Sequence, residues 1–374
     1  MKTVLVTGSA GFIGKHVAEA LRRRADTNII EFDLITPAER LDRGLREADF
    51  IFHFAGINRP EIDAEFHIGN TGFTQEICTK LAQYGRKPMI AISSSIQAEL
   101  DNPYGLSKRG AEASLLDWSK NSGGRVIIFR LKNVFGKWCR PNYNSVTATF
   151  CYNIAHDIPI NISDPSRELE LVYIDDVVSA FLECLDCSAS PGSEMREVKT
   201  FYRVTLRELA AKVRSFRESR RSLVLPSLDD EFTRRLYATY LSYLEEADFS
   251  YLLEQRTDSR GSLAEFIKQT HFGQLFVSRT NPGITRGNHY HHTKTEKFFV
   301  LEGEAIIRFR HILNGGIIEH RVSGKDFKVV DIPPGYAHSI ENVGESELVT
   351  LFWASEIFDS EKADVYPMTV RGRS

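Results

Sequence analysis

Through the first half of the chain, short apolar runs alternate with stretches whose apolar residues recur at helical spacing. Runs at 3–7, 28–32, 50–55, 89–93 and 126–131 have the length and β-branched content of strands. Between them, 15–24, 73–84 and 108–121 carry the 3.6-residue period of crossover helices, so the rhythm predicts a parallel sheet. The Ser-, Pro- and Gly-containing stretch 188–197 predicts a surface loop, 206–216 one more helix, and 232–251 is rich in tyrosine. From Gly261 onward the pattern changes to short strands broken at Gly273, Pro282, Gly287, Gly303, Asn314-Gly-Gly316, Gly324, Pro333-Pro-Gly335 and Gly344. That punctuation predicts an antiparallel barrel. Two domains follow, 1–243 and 244–374, and no internal repeat joins them.

Composition narrows the function classes. A length of 374 residues suits two domains, each able to bury its own core. With 26% charged residues and a formal net charge of −3, there is no electrostatic case for a nucleic acid or an anionic membrane as partner. The first residues, Met1-Lys-Thr-Val-Leu-Val-Thr-Gly8, enter a strand at once, which leaves no room for a signal peptide. No apolar run approaches the roughly 18 residues of a membrane span, so a cytoplasmic protein is expected. The five cysteines, Cys78, Cys139, Cys151, Cys184 and Cys187, are scattered and odd in number, and they lack the second close pair of a zinc knuckle. Reduced, mostly buried thiols are expected.

Two constellations carry chemistry. Gly8, Gly11 and Gly14 follow the first strand and open the first helix, where glycine lets backbone approach a pyrophosphate and unpaired N–H groups meet its charge. Tyr104 and Lys108 lie four apart on one helix face, so an ammonium near the phenol would favour the phenolate and ease proton transfer to a forming alkoxide. Ser93-Ser-Ser95 ends the preceding strand, where a hydroxyl can hold a substrate carbonyl. Asp33, ending the second strand, is placed to bind an adenosine ribose and repel a 2′-phosphate, though Lys15, Arg22, Arg23 and Arg24 are near enough in sequence to welcome one. A turn residue before Thr36-Pro37 is the alternative for Asp33, and NADH and NADPH both stay open.

The second constellation is His289, His291, Glu296 and the distant His338. Side chains two apart on a strand share a face, so His289 and His291 can present two imidazoles to one ion inside a barrel, with Glu296 and His338 completing the set. Three histidines and a carboxylate suit Zn²⁺, and also Fe²⁺, Mn²⁺ or Ni²⁺; zinc is expected because no redox step is otherwise required of it. His292 adjoins the ligands but points to the other face.

On these residues, together with Asp49-Phe-Ile-Phe-His53-Phe-Ala-Gly56, Asn70, Arg130-Leu-Lys-Asn133-Val-Phe-Gly136 and Tyr173-Ile-Asp-Asp-Val177, the first 240 or so residues resemble the extended short-chain dehydrogenase/reductases of nucleotide sugars. The resemblance implies a Rossmann-type doubly wound parallel sheet binding NADPH or NADH through Gly8, Gly11, Gly14, Asp33 and Lys108. Tyr104 is then the acid, Lys108 its ribose-binding partner, Ser95 the carbonyl-orienting serine with Ser94 next in register, and Asn133 a substrate neighbour. Only about ten residues separate the serines from Tyr104, fewer than in most of that family. The second domain resembles the cupins, an all-β jelly-roll barrel, in the spacing of Gly283, His289, His291, Glu296 and Gly303, and of Pro333, Gly335, His338 and Asn342. The usual glycine before that proline is displaced, Gly324 being nearest.

End to end, Phe54-Ala-Gly-Ile-Asn-Arg-Pro60, Asp101-Asn-Pro-Tyr-Gly105 and Phe135-Gly-Lys-Trp-Cys-Arg-Pro141 resemble a bifunctional family of bacterial capsule and O-antigen synthesis. That likeness implies a UDP-linked keto-sugar substrate, a zinc-assisted C3 epimerisation of a UDP-2-acetamido-2,6-dideoxy-4-hexulose, and C4 reduction to UDP-N-acetyl-6-deoxy-L-talosamine by a homodimer. A C4 ketone acidifies the C3 hydrogen, and a Lewis acid lowers the barrier to its removal. Tyr290, His292, Lys297 and Tyr336 are candidate acids and bases for that step. Two alternatives remain: a simple 4-keto-sugar reductase whose metal is structural, or one whose barrel senses sugar.

Overall fold

The computed structural model describes residues 1–187, 191–313 and 315–371 and divides into two compact units. Unit one comprises 1–213 and 231–244; unit two comprises 214–230 and 245–374. In unit one the chain runs β1 (Lys2–Thr7), α1 (Phe12–Arg22), β2 (Thr27–Phe32), α2 (Ala38–Glu47), β3 (Phe50–His53), a single turn α3 (Ala64–Phe66), α4 (Phe73–Gln83), β4 (Met89–Ser95), α5 (Pro103–Ser122) and β5 (Arg125–Leu131). It continues through β6 (Asn133–Phe135), α6 (Val146–Ala155), β7 (Glu168–Tyr173), α7 (Ile174–Glu183), β8 (Gly192–Arg196), β9 (Tyr202–Thr205), α8 (Leu206–Ser222) and α9 (Glu231–Leu241), α8 crossing into the second unit.

Six parallel strands stand in the order β2-β1-β3-β4-β5-β8, and β6-β7-β9 make a small separate sheet. Successive side chains point to opposite faces, so Val4 and Val6 enter one core while Leu5 enters the other, and Phe50 and Phe52 alternate with Ile51 in the same way. Each such buried side chain contributes about 1.5–3 kcal/mol. A one-residue slip would misplace all of them, which fixes the register. One expectation fails here. Residues 188–190 lie outside the described ones, but 192–196 of the stretch read as a loop form β8, paired in parallel with β5. As an edge strand of half-exposed polar residues, Gly-Ser-Glu-Met-Arg lacks an apolar run; its place is set by the β5 ladder and an Arg125–Glu194 ion pair at 2.8 Å.

Unit two is built from β10 (Gln255–Asp258), β11 (Gly261–Gln269), β12 (Gly273–Thr280), β13 (Thr285–Tyr290), β14 (Glu296–Glu302), β15 (Glu304–His311), β16 (Ile317–Ser323), β17 (Val329–Ile332), β18 (Tyr336–Asn342), β19 (Leu348–Ala354) and β20 (Tyr366–Pro367). They form two antiparallel sheets, β10-β11-β12-β19-β14-β17 and β16-β15-β18-β13-β20. Phe298, Val300 and Phe352 of one sheet pack with Ile307, Phe309 and Ile340 of the other, the double-sheet all-β fold expected of this half. Asn314 lies outside the described residues. Residues 223–225 join this unit by hydrogen bonds of Leu223 and Leu225 to Lys268, so a stretch of the chain before 244 packs with the β half. All five cysteines are free thiols, and no helix among the described residues is long and apolar enough to cross a membrane.

Candidate active sites

The strand order of unit one reverses between β1 and β3, and the loop carrying Gly8 leaves β1 at that point, where open α/β sheets bind their ligands. Gly8 has φ +69°, and a Cβ there would lie 2.5 Å from Ala55 N; one on Gly14 would lie 2.0 Å from Gly8 O. Only glycine fits either place. Gly11 caps α1 with no side-chain hydrogen bond, so the first N–H groups of α1 are left for an anion, which fits a dinucleotide pyrophosphate. Asp33 braces this loop: its carboxylate accepts the N–H of Ala10 at 2.7 Å and of Leu34 at 2.8 Å. The arginines after the loop are occupied by carboxylates, Arg22 by Glu31 (2.6 Å), Arg23 by Glu19 (3.1 Å) and Arg24 by Asp26 (2.9 Å).

The short connection from the serines to Tyr104 closes by one tight turn over Ile96–Glu99, with Ser95 Oγ accepting Gln97 N–H at 3.1 Å. Helix α5 then starts earlier than its apolar period indicates, because Asn102 Oδ1 accepts Gly105 N–H at 2.8 Å and Pro103 occupies the first turn. Tyr104 therefore sits in that first turn, half-buried against the Phe66 ring at 5.5 Å. Burial pushes its phenol up to about 12, with a hydrogen bond from Ser95 working the other way. Burial outweighs that hydrogen bond, and the phenol keeps its proton at neutral pH.

Lys108 is buried, its Nζ 3.3 Å from Ser93 O and 5.8 Å from the Tyr104 ring centroid. Burial brings its ammonium down to about 8, and Glu112 opposes the change. The two candidate serines have different neighbours. Ser94 faces the other way, donating to Glu112 at 2.5 Å, while Ser95 meets Tyr104. Glu112, buried between Ser94 and Arg130 (2.7 and 3.0 Å), was not anticipated from sequence. A Cβ on Gly56 would lie 2.5 Å from Asn70 Oδ1 and 3.2 Å from Lys108 Nζ, so that glycine makes room for both. Asn70 clamps Ile57 through both its N–H and its carbonyl, at 2.9 and 3.0 Å. Asn133 is exposed at the start of β6, and its one hydrogen bond, to Glu170 O, is long at 3.4 Å.

Unit two brings His289, His291, Glu296 and His338 together, with one ligand atom of each within 4.8 Å of the others. A bulge achieves this. Gly287 (φ +92°) and Asn288 (φ +61°) rotate β13 so that His289 pairs with His338, and a Cβ on Gly287 would lie 2.8 Å from His338 O. Glu296 Oε2 is 3.5 Å from His291 Nε2 and 3.4 Å from His338 Nε2. Those separations match the roughly 3.3 Å between ligand atoms of a tetrahedral zinc. Both Nε2 atoms are buried without a hydrogen-bond partner, a cost of about 1–3 kcal/mol each that a bound cation would remove. His291 Nδ1 sits 2.5 Å from Asp364 O, which makes Nδ1 the protonated nitrogen and leaves the Nε2 lone pair facing the pocket. Burial and its two histidine neighbours bring His289 down to about 4, while burial opposes but His291, His338 and Lys294 hold Glu296 well below the carboxylate range. A neutral His289 imidazole and an ionised Glu296 carboxylate are the states a divalent cation needs of these two ligands. The donor set fits one.

Two residues here escaped sequence reasoning. Lys294 is buried with Nζ 3.0 Å from Glu296 Oε1; period-2 alternation from Glu296 could have found it, but lysine is ordinarily exposed. Asp364, whose carboxylate accepts the N–H of His292, Thr293 and Lys294, gives no local signal at all. Of the four acid–base candidates, Tyr290 stacks on Tyr366 at 5.2 Å, His292 is exposed and Lys297 pairs with Asp331. Tyr336 alone shares the inward face of His338 on β18.

Residues 4–195 match the NAD dependent epimerase/dehydratase family, and residues 256–366 the polysaccharide biosynthesis C-terminal domain. A Pseudomonas aeruginosa protein described as UDP-2-acetamido-2,6-β-L-arabino-hexul-4-ose reductase is 45% identical over 367 residues, 98% of each chain. The crystal structure of the capsular polysaccharide assembling protein CapF from Staphylococcus aureus is similar at TM-score 0.90 and 45% identity, covering 98% of this chain and 99% of that one. A structure of CapF with the inhibitor 3-isopropenyl-tropolone is similar at TM-score 0.87 and 40% identity, with the same coverage.

Proposed function

The chain belongs to the NAD-dependent epimerase/dehydratase family, joined to a polysaccharide-biosynthesis C-terminal domain, and from that premise we propose that it is a bifunctional nucleotide-sugar enzyme. Its relative reduces a 4-keto sugar, and unit one is equipped for that reaction. A nicotinamide held by the Gly8–Gly14 loop and Lys108 would supply the hydride for the C4 carbonyl. Tyr104, half-buried and protonated at neutral pH, delivers a proton to the oxygen as charge develops there, and the Ser95 hydroxyl beside it orients the carbonyl. Lys108, fixed by Ser93 O, presents a buried ammonium to the ribose.

Unit two carries the second activity, epimerisation at C3 of a UDP-2-acetamido-2,6-dideoxy-4-hexulose before reduction. The product is UDP-N-acetyl-6-deoxy-L-talosamine, a precursor of UDP-N-acetyl-L-fucosamine. The single observation that supports this reading is the pair of buried Nε2 atoms, without a hydrogen-bond partner, that face Glu296 in a set of side chains able to hold a cation. A bound zinc supplies the Lewis acidity that makes C3–H removable. The tropolone inhibitor of the solved relative agrees, since its adjacent carbonyl and hydroxyl oxygens chelate divalent metals. Tyr336, on the His338 face, is placed to move the proton.

One observation favours a second reading. Four side chains already fill a tetrahedral set, which suits a structural ion in a monofunctional 4-keto-sugar reductase. Deuterium exchange separates the two: the bifunctional enzyme incorporates solvent deuterium at C3 without any nicotinamide, and absence of exchange in zinc-loaded enzyme refutes the epimerase.

A further inference from the structure

After β19 the chain returns to the metal-ligand pocket. Tyr366 and Pro367 pair with Tyr290 and His289, and the N–H groups of Met368 and Val370 donate to Asn288 O (2.9 Å) and Asn288 Oδ1 (3.2 Å). Asn288 is the left-handed bulge residue that turns His289 inward, so the returning segment holds the bulge by both its main chain and its side chain. Just before this segment stands Asp364. Its carboxylate accepts the N–H of His292 (2.9 and 3.1 Å), Thr293 (2.7 Å) and Lys294 (2.8 Å) and the Thr293 hydroxyl (3.0 Å). Its carbonyl accepts from Nδ1 of His291 at 2.5 Å. One residue thus grips four consecutive residues, 291–294, between the ligand pair His289/His291 and the ligand Glu296.

The four ligands are not equally supported. Glu296 lies on β14, between β19 and β17, and His338 lies on β18, between β15 and β13, each held by ladders on both sides. His291 is past the end of β13, where its carbonyl accepts the N–H of Gly335 at 2.8 Å but the residue is not flanked by strand ladders on both sides. On the metal reading given above, we propose that Asp364 is a positioning residue of the metal site, which sets the tautomer and ring orientation of His291 through its carbonyl and locks the 292–294 turn through its carboxylate. Without the carboxylate, three backbone N–H groups turn to water, the carbonyl loses its fixed position, and the His291 ring is free to rotate. Loss of such an outer partner costs about 10–100-fold in metal affinity.

The test uses the full-length protein stripped of metal and titrated with zinc against a chromophoric chelator, and with cobalt read by its visible d–d bands. Asp364→Ala removes the carboxylate. Asp364→Asn keeps the shape but turns one acceptor into a donor facing N–H groups, and it serves as the variant least liable to misfold. Asp331→Ala, removing an exposed partner of Lys297 in the same unit, is the control. Both Asp364 variants should bind zinc about 10–100-fold more weakly and show a displaced cobalt spectrum at saturation, with the control unchanged. Zinc affinity within about twofold of the parent overturns the proposal, and so does weaker affinity with an unaltered saturated cobalt spectrum, which marks a merely structural role. A parent protein that takes up neither ion overturns the metal reading itself and this proposal with it.

Discussion

Replacing Lys108 by methionine should make unit one more stable while abolishing its reductase activity. The ammonium, ordinarily near 10.5, is brought down to about 8 by burial even with Glu112 opposing the change. At about 1.4 kcal/mol per tenfold, that depression means the buried ammonium costs the fold about 3 kcal/mol at pH 7. Methionine fills a similar volume without charge but leaves Ser93 O without its donor, a loss of about 1 kcal/mol. Glu112 keeps its Arg130 partner at 2.7 Å, so no carboxylate is stranded. The net expectation is a gain of about 2 kcal/mol at pH 7.

The sign with pH follows from proton uptake. Between about 8 and 10.5 the unfolded lysine holds a proton that the folded one has released, so wild-type stability rises with pH in that window. The cost is complete below about 8 and has shrunk to about 1 kcal/mol by about pH 10, where mutant and wild type should unfold alike. Urea unfolding of both proteins at the two pH values measures this, with the unit-two transition as an unmoved internal reference. A mutant less stable at pH 7, or one whose advantage is the same at both pH values, refutes the reasoning.

Tyr104→Phe removes the proton donor from an otherwise intact site, and steady-state reduction should fall by about 10²–10⁴ while C3 deuterium exchange persists; equal loss of both would argue against separate sites. His289→Ala with His291→Ala leaves two of the four ligands, so elemental analysis should show about one metal per chain lost, and C3 exchange should stop. Gly14→Ala puts a Cβ 2.0 Å from Gly8 O, so the loop must shift and dinucleotide titration should show binding weakened by at least about tenfold, the equivalent of a backbone strain of about 1–2 kcal/mol; unchanged binding would mean the loop does not cradle the pyrophosphate.

The sequence by itself determined the parts of this protein whose signal is local. Apolar runs marked the central strands because a parallel sheet buries both faces, and Gly8 and Gly14 were legible because no other side chain fits a turn that tight. The grouping of His289, His291, Glu296 and His338 was readable from the spacing of a known motif, while the bulge at Gly287 and Asn288 that brings the rings together was not. Tertiary structure decided whatever depended on partners distant in sequence. Strand β8 exists through its neighbour's ladder; Ser94 and Ser95 look alike until Glu112, eighteen residues past Ser94, engages one and Tyr104 the other; and the phenol of Tyr104 is pushed up by burial, which no spacing to Lys108 reveals. Asp364 is the extreme case, seventy residues from the Lys294 N–H it accepts. Periodicity records which face a residue points to, whereas desolvation and hydrogen-bond partners depend on what the rest of the chain brings to that face.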